Sequence, residues 1–396
     1  MKTGFIFTLL VVLIFSSCTT TQKRAFIHGD SNVTDYQWLP YREIRKGENE
    51  RVFNACENTK LEEFILKELG FSSREKMFKK TRSQALIILR GEDILLEEYG
   101  AKYNHNSIVT SFSVAKSINS AMIGTLIKSG KIKSEDESIT NYIPELLERD
   151  ARFENITIKN LLNMTSGILY VETPDRRMDN TETYYNPDLR KLALTNTLIY
   201  EESGKHFLYN NYNPLLLGLI IERVTNDSVC NYLSDLIWSK LGCEQNATWS
   251  LDSDEDSFEK MESGINTIAM DFVRFGCLFR DGGLIDGKQI IDREWIEKSV
   301  FVEPCKGGYY SDHWGKDFYN HGVNYGYGWY VINQPQTESA ESKFLPDFFA
   351  FGNKGQIIYI SQSADMVMVR FGEQNIISLW RWIEAFRKIS LEYSCR

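Results

Sequence analysis

Histidine is scarce in this chain: five in 396 residues, and His28, His105, His206, His313 and His321 are scattered. The seven cysteines form no CxxC pair and no Cys/His ligand spacing, so the sequence offers no metal cluster and implies no cofactor. The same scatter leaves no obvious Ser/His/Asp arrangement, and a serine nucleophile here would need a base other than histidine. Long basic runs are missing too. With 45 Lys and Arg against 54 Asp and Glu, the net charge of -9 repels phosphates and argues against a nucleic-acid partner. There is no internal repeat, no low-complexity tract and no apolar run long enough for a permanent membrane span.

The one sustained apolar run goes from Phe5 to Phe15, after Met1-Lys2 and before Ser16-Ser17-Cys18. A short basic start, an apolar core and small residues are the marks of a secretion signal. The stretch resembles bacterial lipoprotein signals, which implies that Cys18 carries the lipid and that the mature protein is anchored to a membrane of the bacterial cell envelope. Residues 1–18 are then the signal segment, and the polar, weakly patterned residues 19–50 read as a tether. Export would permit pairing among Cys56, Cys230, Cys243, Cys277, Cys305 and Cys395.

At 42% hydrophobic and 25% charged residues, the remainder can bury a full core. The run "NTKLEEFILKELGF" has helical spacing, and "ALIILRGEDILLEEYG" reads as two strands around Arg90-Gly91-Glu92-Asp93. From about 113 to 299 the pattern is helical. Strand signals return in "YGYGWYVI", "FFAFGN", "QIIYIS" and "DMVMVRFG", ahead of an apolar-striped helix near the end. A lone hairpin is unstable, so the early strands are expected to join the late ones in one sheet covered by the first and last helices. The predicted class is α/β (α+β): an antiparallel sheet built from about 51–112 and 300–396, flanked by the terminal helices, with a mainly helical insertion at 113–299.

Three serines stand three residues before a lysine: Ser73 and Lys76, Ser113 and Lys116, Ser257 and Lys260. Ser73 sits in a charged segment and Ser257 in an acidic loop, so both pairs read as solvated. Ser113 instead opens a segment whose Val114, Ile118, Met122 and Leu126 recur every fourth residue, a helix apolar around much of its circumference. Residues i and i+3 share a helix face, which returns the Lys116 amine to the Ser113 hydroxyl. The first turn also offers unpaired N–H groups to a developing oxyanion. A buried ammonium either loses its proton or acts as a fixed charge on a neighbour, and either role activates serine.

Two further elements accompany that pair. Tyr209-Asn210-Asn211 precedes an apolar helix, placing Tyr209 to take a proton and Asn211 to donate to a substrate carbonyl. Tyr184-Tyr185-Asn186 has the same spacing but precedes Pro187-Asp188 and reads as a polar loop. In "AFGNKGQIIYIS", Gly352 and Gly355 flank Asn353-Lys354, where backbone can approach a ligand closely. The N–H groups of Gln356 and Ser113 are the oxyanion donors this reading suggests.

Together "SFSVAKS", "ITIKNLLNMTSGI", "FLYNNYNPLLLGLIIERVT", "YGYGW" and "FGNKGQ", in that order between about 84 and 372, resemble the serine β-lactamase and penicillin-binding-protein superfamily. The likeness is to its class C-like branch, which also holds esterases and 6-aminohexanoate-dimer hydrolase. The resemblance implies a nucleophile at Ser113, its partner at Lys116, and the Tyr-x-Asn element at Tyr209 and Asn211. One position departs: where that family usually carries lysine or histidine, Asn353 stands here with Lys354 next. The expected function is an exported serine hydrolase acting on a small ester, amide or peptide through an acyl-enzyme. The alternatives are a penicillin-binding-like sensor that acylates without efficient turnover, and a β-lactamase or D-Ala-D-Ala peptidase, against which Asn353 argues.

Overall fold

The structure, a computed structural model, describes residues 19–172, 178–301, 308, 315–332, 345–374 and 376–393. Its centre is an eight-stranded sheet, ordered Val323–Gly326, Trp329–Ile332, Phe348–Gly352, Gln356–Ser361, Met366–Gly372, Ser83–Arg90, Asp93–Tyr99 and Asn54–Ala55. All neighbours are antiparallel except the last pair. The early hairpin therefore does join the late strands, with Ile87 opposite Val369.

The run Ala85–Leu89 shows why this strand is apolar without interruption. Successive side chains point to opposite faces, and here both faces are covered. Ala85, Ile87 and Leu89 enter one core, and Leu86 and Ile88 enter another. The second core is closed by the helices Thr59–Leu69 and Leu379–Tyr393 through Leu61, Ile65, Trp382 and Phe386, as the apolar stripes predict. On the opposite face lies helix Ala269–Arg280. A Cβ at Gly276 would stand 2.5 Å from Val367 Cγ1, so glycine sets how closely that helix lies on the sheet.

The segment 113–299 is not simply helical. It contributes Ala247–Ser250 and Ile265–Ile268 to a second, four-stranded sheet with Tyr41–Ile44 and Ile108–Thr110. That sheet carries the chain directly into Ser113. Its outer strand also corrects the reading of residues 19–50 as a tether. Tyr41–Ile44 pairs along its length with Ala247–Ser250, and Thr20–His28 is a helix with a Thr19/Gln22 capping box. Aromatic side chains hold the segment in place: His28 stacks on Trp38 with ring centroids 3.7 Å apart, and Trp38 stacks in turn on Tyr185. Cys18 and the rest of residues 1–18 lie outside the described residues, as do Cys305 and Cys395, while Cys56, Cys230, Cys243 and Cys277 are free thiols. No helix among the described residues is long and apolar enough to cross a membrane.

Candidate active site

Ser113 lies in a tight turn, Phe112–Val114, that runs straight into the buried helix Ala115–Lys128. Phe112 has φ +42°, a left-handed conformation that a residue with a side chain adopts only under constraint. The constraint is visible next door: Ser111 N donates to Ile265 O at 2.8 Å, and Ser111 Oγ accepts from Ile265 N at 3.0 Å. Lys116, in the first turn of that helix, places Nζ 3.0 Å from Ser113 Oγ and 3.0 Å from Glu262 O. The "YGYGW" hairpin backs the same turn. Ser117 Oγ donates to Gly328 O, and a Cβ at Gly328 would sit 2.6 Å from Lys116 O.

Tyr209 stands beside this pair on the loop before helix Tyr212–Thr225. The loop is fixed by Asn210, whose Nδ2 donates to Ile168 O and whose Oδ1 accepts from Tyr212 N. Tyr209 hydrogen-bonds the Ser113 hydroxyl, and its ring centre is 4.8 Å from Lys116 Nζ. Asn211 lines the same cavity, with its Nδ2 donating to Tyr170 Oη at 2.9 Å and its Oδ1 buried without a partner among the described residues. That bond uses one of the two Nδ2 hydrogens and leaves the other for the expected donation to a substrate carbonyl.

The electrostatics separate the two proton carriers. Burial pushes the Lys116 amine down to about 7, against the opposing pull of the Glu262 and Glu172 charges. Burial pushes the Tyr209 phenol up, an effect only partly offset by its bond to Ser113. Near neutral pH an amine in this state can accept the Ser113 proton, and a phenol in this state can donate one. Partial enclosure in the cavity wall also raises the Glu172 carboxyl, with Lys116 pulling the other way.

The third element lies between two strands, as its flanking glycines suggest. Asn353–Gly355 is a turn between the strands Phe348–Gly352 and Gln356–Ser361, with Lys354 left-handed at φ +64°. Asn353 and Lys354 both line the cavity. Gly355 and Gln356 do not line it; the Gln356 side chain is spent on Asn353 O, Gly372 O and Gly372 N. The main chain that meets the nucleophile is Gly352, where a Cβ would stand 3.1 Å from Ser113 N and run into Ser111 O.

Beneath the turn lies Arg370, a fully buried guanidinium that no acidic side chain pairs with among the described residues. It donates to the carbonyls of Lys354, Gly355, Thr81 and Gln374 and to Ser83 Oγ.

The cavity over Ser113 has a volume of about 940 Å³. One wall is unexpected: Ala25, Gly29, Asp30 and Ser31 from the N-terminal segment, with Ser31 Oγ accepting from Asn353 Nδ2 at 3.1 Å. Trp38 and the buried Val33 and Leu39 in that otherwise polar stretch were the available signal. Tyr184 and Tyr185 also line the cavity from helix Asp179–Tyr185, so that Tyr-x-Asn copy is not a polar loop. Lys260 is a further correction: it is buried, donates to Tyr184 O and pairs with Glu262. Phe258 and Met261, both buried beside it, marked the segment as core. Of the two pairs read as solvated, only Ser73 and Lys76 behave so, Ser73 capping helix Arg74–Thr81 with Lys76 exposed.

The profile of the beta-lactamase family matches residues 73–372. The chain belongs to the beta-lactamase family. Members of that family with this fold are serine hydrolases. The chain is 27% identical over 241 residues to the 6-aminohexanoate-dimer hydrolase of Paenarthrobacter ureafaciens, which covers 56% of this chain and 58% of that one. It thus spans less than two thirds of that relative. A Bacillus anthracis structure assigned as a 6-aminohexanoate-dimer hydrolase superposes with a TM-score of 0.76 at 21% identity, covering 92% of this chain and 95% of the other. A class C beta-lactamase in complex with cefoxitin gives a TM-score of 0.60 at 14% identity, covering 84% and 99%. At these identities the structural likenesses establish the beta-lactamase fold.

Proposed function

We propose that this beta-lactamase-family hydrolase cleaves a linear amide or ester through an acyl-enzyme on Ser113. The observation that carries the reading is the Lys116 amine, 3.0 Å from Ser113 Oγ and pushed down to about 7 by burial. Lys116 takes the hydroxyl proton as Ser113 Oγ bonds to the substrate carbonyl carbon. The carbonyl oxygen becomes an oxyanion against the main chain of Ser113 and Gly352. Collapse breaks the bond to the leaving amine or alcohol, which takes a proton relayed from Lys116 through Tyr209. Water then attacks the ester, gives its proton back along the same path, and releases the acid with Ser113 restored.

The P. ureafaciens relative is named for an amide substrate, and here Asn353 is bonded to Ser31. Both favour a linear substrate over a β-lactam. Hydrolysis of linear 6-aminohexanoate dimer and p-nitrophenyl butyrate, with nitrocefin at least about 100-fold slower in kcat/KM, is the expected result. Nitrocefin as the fastest substrate would overturn the substrate assignment. A fluorophosphonate adduct mapped to any residue other than Ser113 would overturn the mechanism.

The signal-like residues 1–18 support a second, separate reading, that the protein is exported and lipid-anchored at Cys18. Incorporation of a palmitate analogue that is lost in Cys18→Ser tests it.

A further inference from the structure

Beside the reacting groups lies a buried ion pair that the mechanism above does not use. Lys260 Nζ is 3.1 Å from Glu262 Oε1, the two side chains being 1% and 4% exposed. Lys260 also donates to Tyr184 O at 2.6 Å, and its ammonium sits 4.4 Å from the centre of the Tyr184 ring. Glu262 Oε1 takes a further bond from Ser263 Oγ, and Glu262 Oε2 has no partner among the described residues. The backbone of this bend is clamped on both sides. Trp249 Nε1 donates to Lys260 O and Ser263 O, and Asn119 Nδ2 donates to Met261 O from the helix that carries Lys116.

Glu262 acts on Lys116 in two ways. Its carbonyl oxygen accepts from Lys116 Nζ, aiming the amine, and its carboxylate is the strongest negative charge acting on that amine. A buried carboxylate without a counter-ion is costly and would claim the nearest cation. Were Lys260 absent, that cation would be Lys116, held as an ammonium and lost as a base. The other titratable groups facing Lys116 among the described residues are Glu172 and Tyr209. Those facing Glu262 are Lys260, Tyr184 and Tyr209, with Asp35 accepting from the Tyr184 hydroxyl.

We propose that Lys260 is a positioning residue: by pairing with the Glu262 carboxylate it frees Lys116 from that charge and fixes the carbonyl that aims the Lys116 amine at Ser113. The inference rests on the reading of Lys116 as the base. Lys260 touches no substrate and acts only through Glu262.

The test compares wild type, Lys260→Met, Glu262→Gln and Lys260→Met/Glu262→Gln as full chains. The Lys116 titration is followed directly by the 13Cε resonance of 13C-lysine-labelled protein, assigned with Lys116→Arg, and in parallel by kcat/KM for p-nitrophenyl butyrate against pH. Lys260→Met is expected to move the Lys116 midpoint and the acid limb of the rate profile up by about one pH unit. The double variant is expected to bring both back to or below wild type, because the charge left unpaired is gone. Midpoints in Lys260→Met within about 0.2 unit of wild type overturn the inference, whatever happens to the rate. If no variant hydrolyses the ester, the functional reading fails, and the 13C titration still decides the role of Lys260. Should Lys260→Met fail to fold, the double variant with a wild-type midpoint supports the pairing, and one shifted upward refutes it.

Discussion

The Lys116 amine and the Tyr209 ring lie face to face, with Nζ 4.8 Å from the ring centre, and both reach the same Ser113 hydroxyl. Two proton carriers sharing one hydroxyl act as a unit. Lys116→Ala and Tyr209→Phe should therefore each lower kcat by roughly 10²–10⁴-fold, and the double variant should be little worse than the poorer single. Lys76→Ala, exposed beside its capping serine, should keep wild-type rates. Additive losses in steady-state kinetics would show that the two residues work separately.

Activity should depend on pH through the amine. With Lys116 near 7, kcat/KM should rise about tenfold per unit below that value and level off above it. The Tyr209 phenol, raised by burial, should keep its proton across the neutral range and place no limb there. A pH profile for a p-nitrophenyl ester checks both statements.

The same buried amine makes stability depend on pH. Its value falls from the ordinary 10.5 to about 7 on folding, so between these two the unfolded chain binds a proton that the folded chain has shed. Stability should rise with pH across that window, and below it the full cost, on the order of 5 kcal/mol, is present. Lys116→Met should remove the dependence. In urea unfolding the variant should be the more stable protein at about pH 6, by a margin that shrinks toward pH 10.

Removing the Arg370 guanidinium should loosen the turn that carries Asn353 and Lys354. Arg370→Met leaves the carbonyls of Lys354, Gly355, Thr81 and Gln374 short of a donor, and should cost about 3 kcal/mol or more. Because the turn lines the cavity, KM should rise along with the loss of stability, and calorimetry with Michaelis kinetics reads both.

The N-terminal segment should matter to substrate binding. A chain beginning at residue 32 loses the wall formed by Ala25, Gly29, Asp30 and Ser31. It should show kcat/KM lowered by about tenfold or more for linear amides, chiefly through KM, while a small fluorophosphonate still labels Ser113. Unchanged KM would mean the wall does not touch substrate.

What the sequence made legible follows from periodicity. Leu86, Ile88 and their neighbours Ile87 and Leu89 form a run that only a strand covered on both faces explains, and the spacing of Val114, Ile118 and Met122 forecast a buried helix with Ser113 at its head. Lys260 was opaque for the opposite reason. Its acidic neighbours Asp254, Glu255 and Asp256 look solvated, and only tertiary structure reveals that Glu262 and the Tyr184 carbonyl lie within reach. Residues 19–50 were opaque because their burial depends on distant partners, Ala247–Ser250 and Tyr185, which no local pattern announces. The glycines around Asn353 announced a close backbone approach, but the left-handed φ of Lys354, with both Asn353 and Lys354 lining the cavity, is visible only in the structure.

Phe112 carries a cost that the rest of the fold must absorb. A left-handed residue with a side chain is destabilising by about 1–3 kcal/mol, and glycine would adopt the conformation freely. Yet the phenylalanine ring lines the cavity directly before the nucleophile. The side chain is itself buried, so glycine would relieve that strain at the larger cost of an emptied core position, about 3 kcal/mol or more, and would widen the cavity beside Ser113. The strain at Phe112 is thus held in place by the burial of its own side chain, and stability and substrate preference at this position should fall together when the side chain is removed.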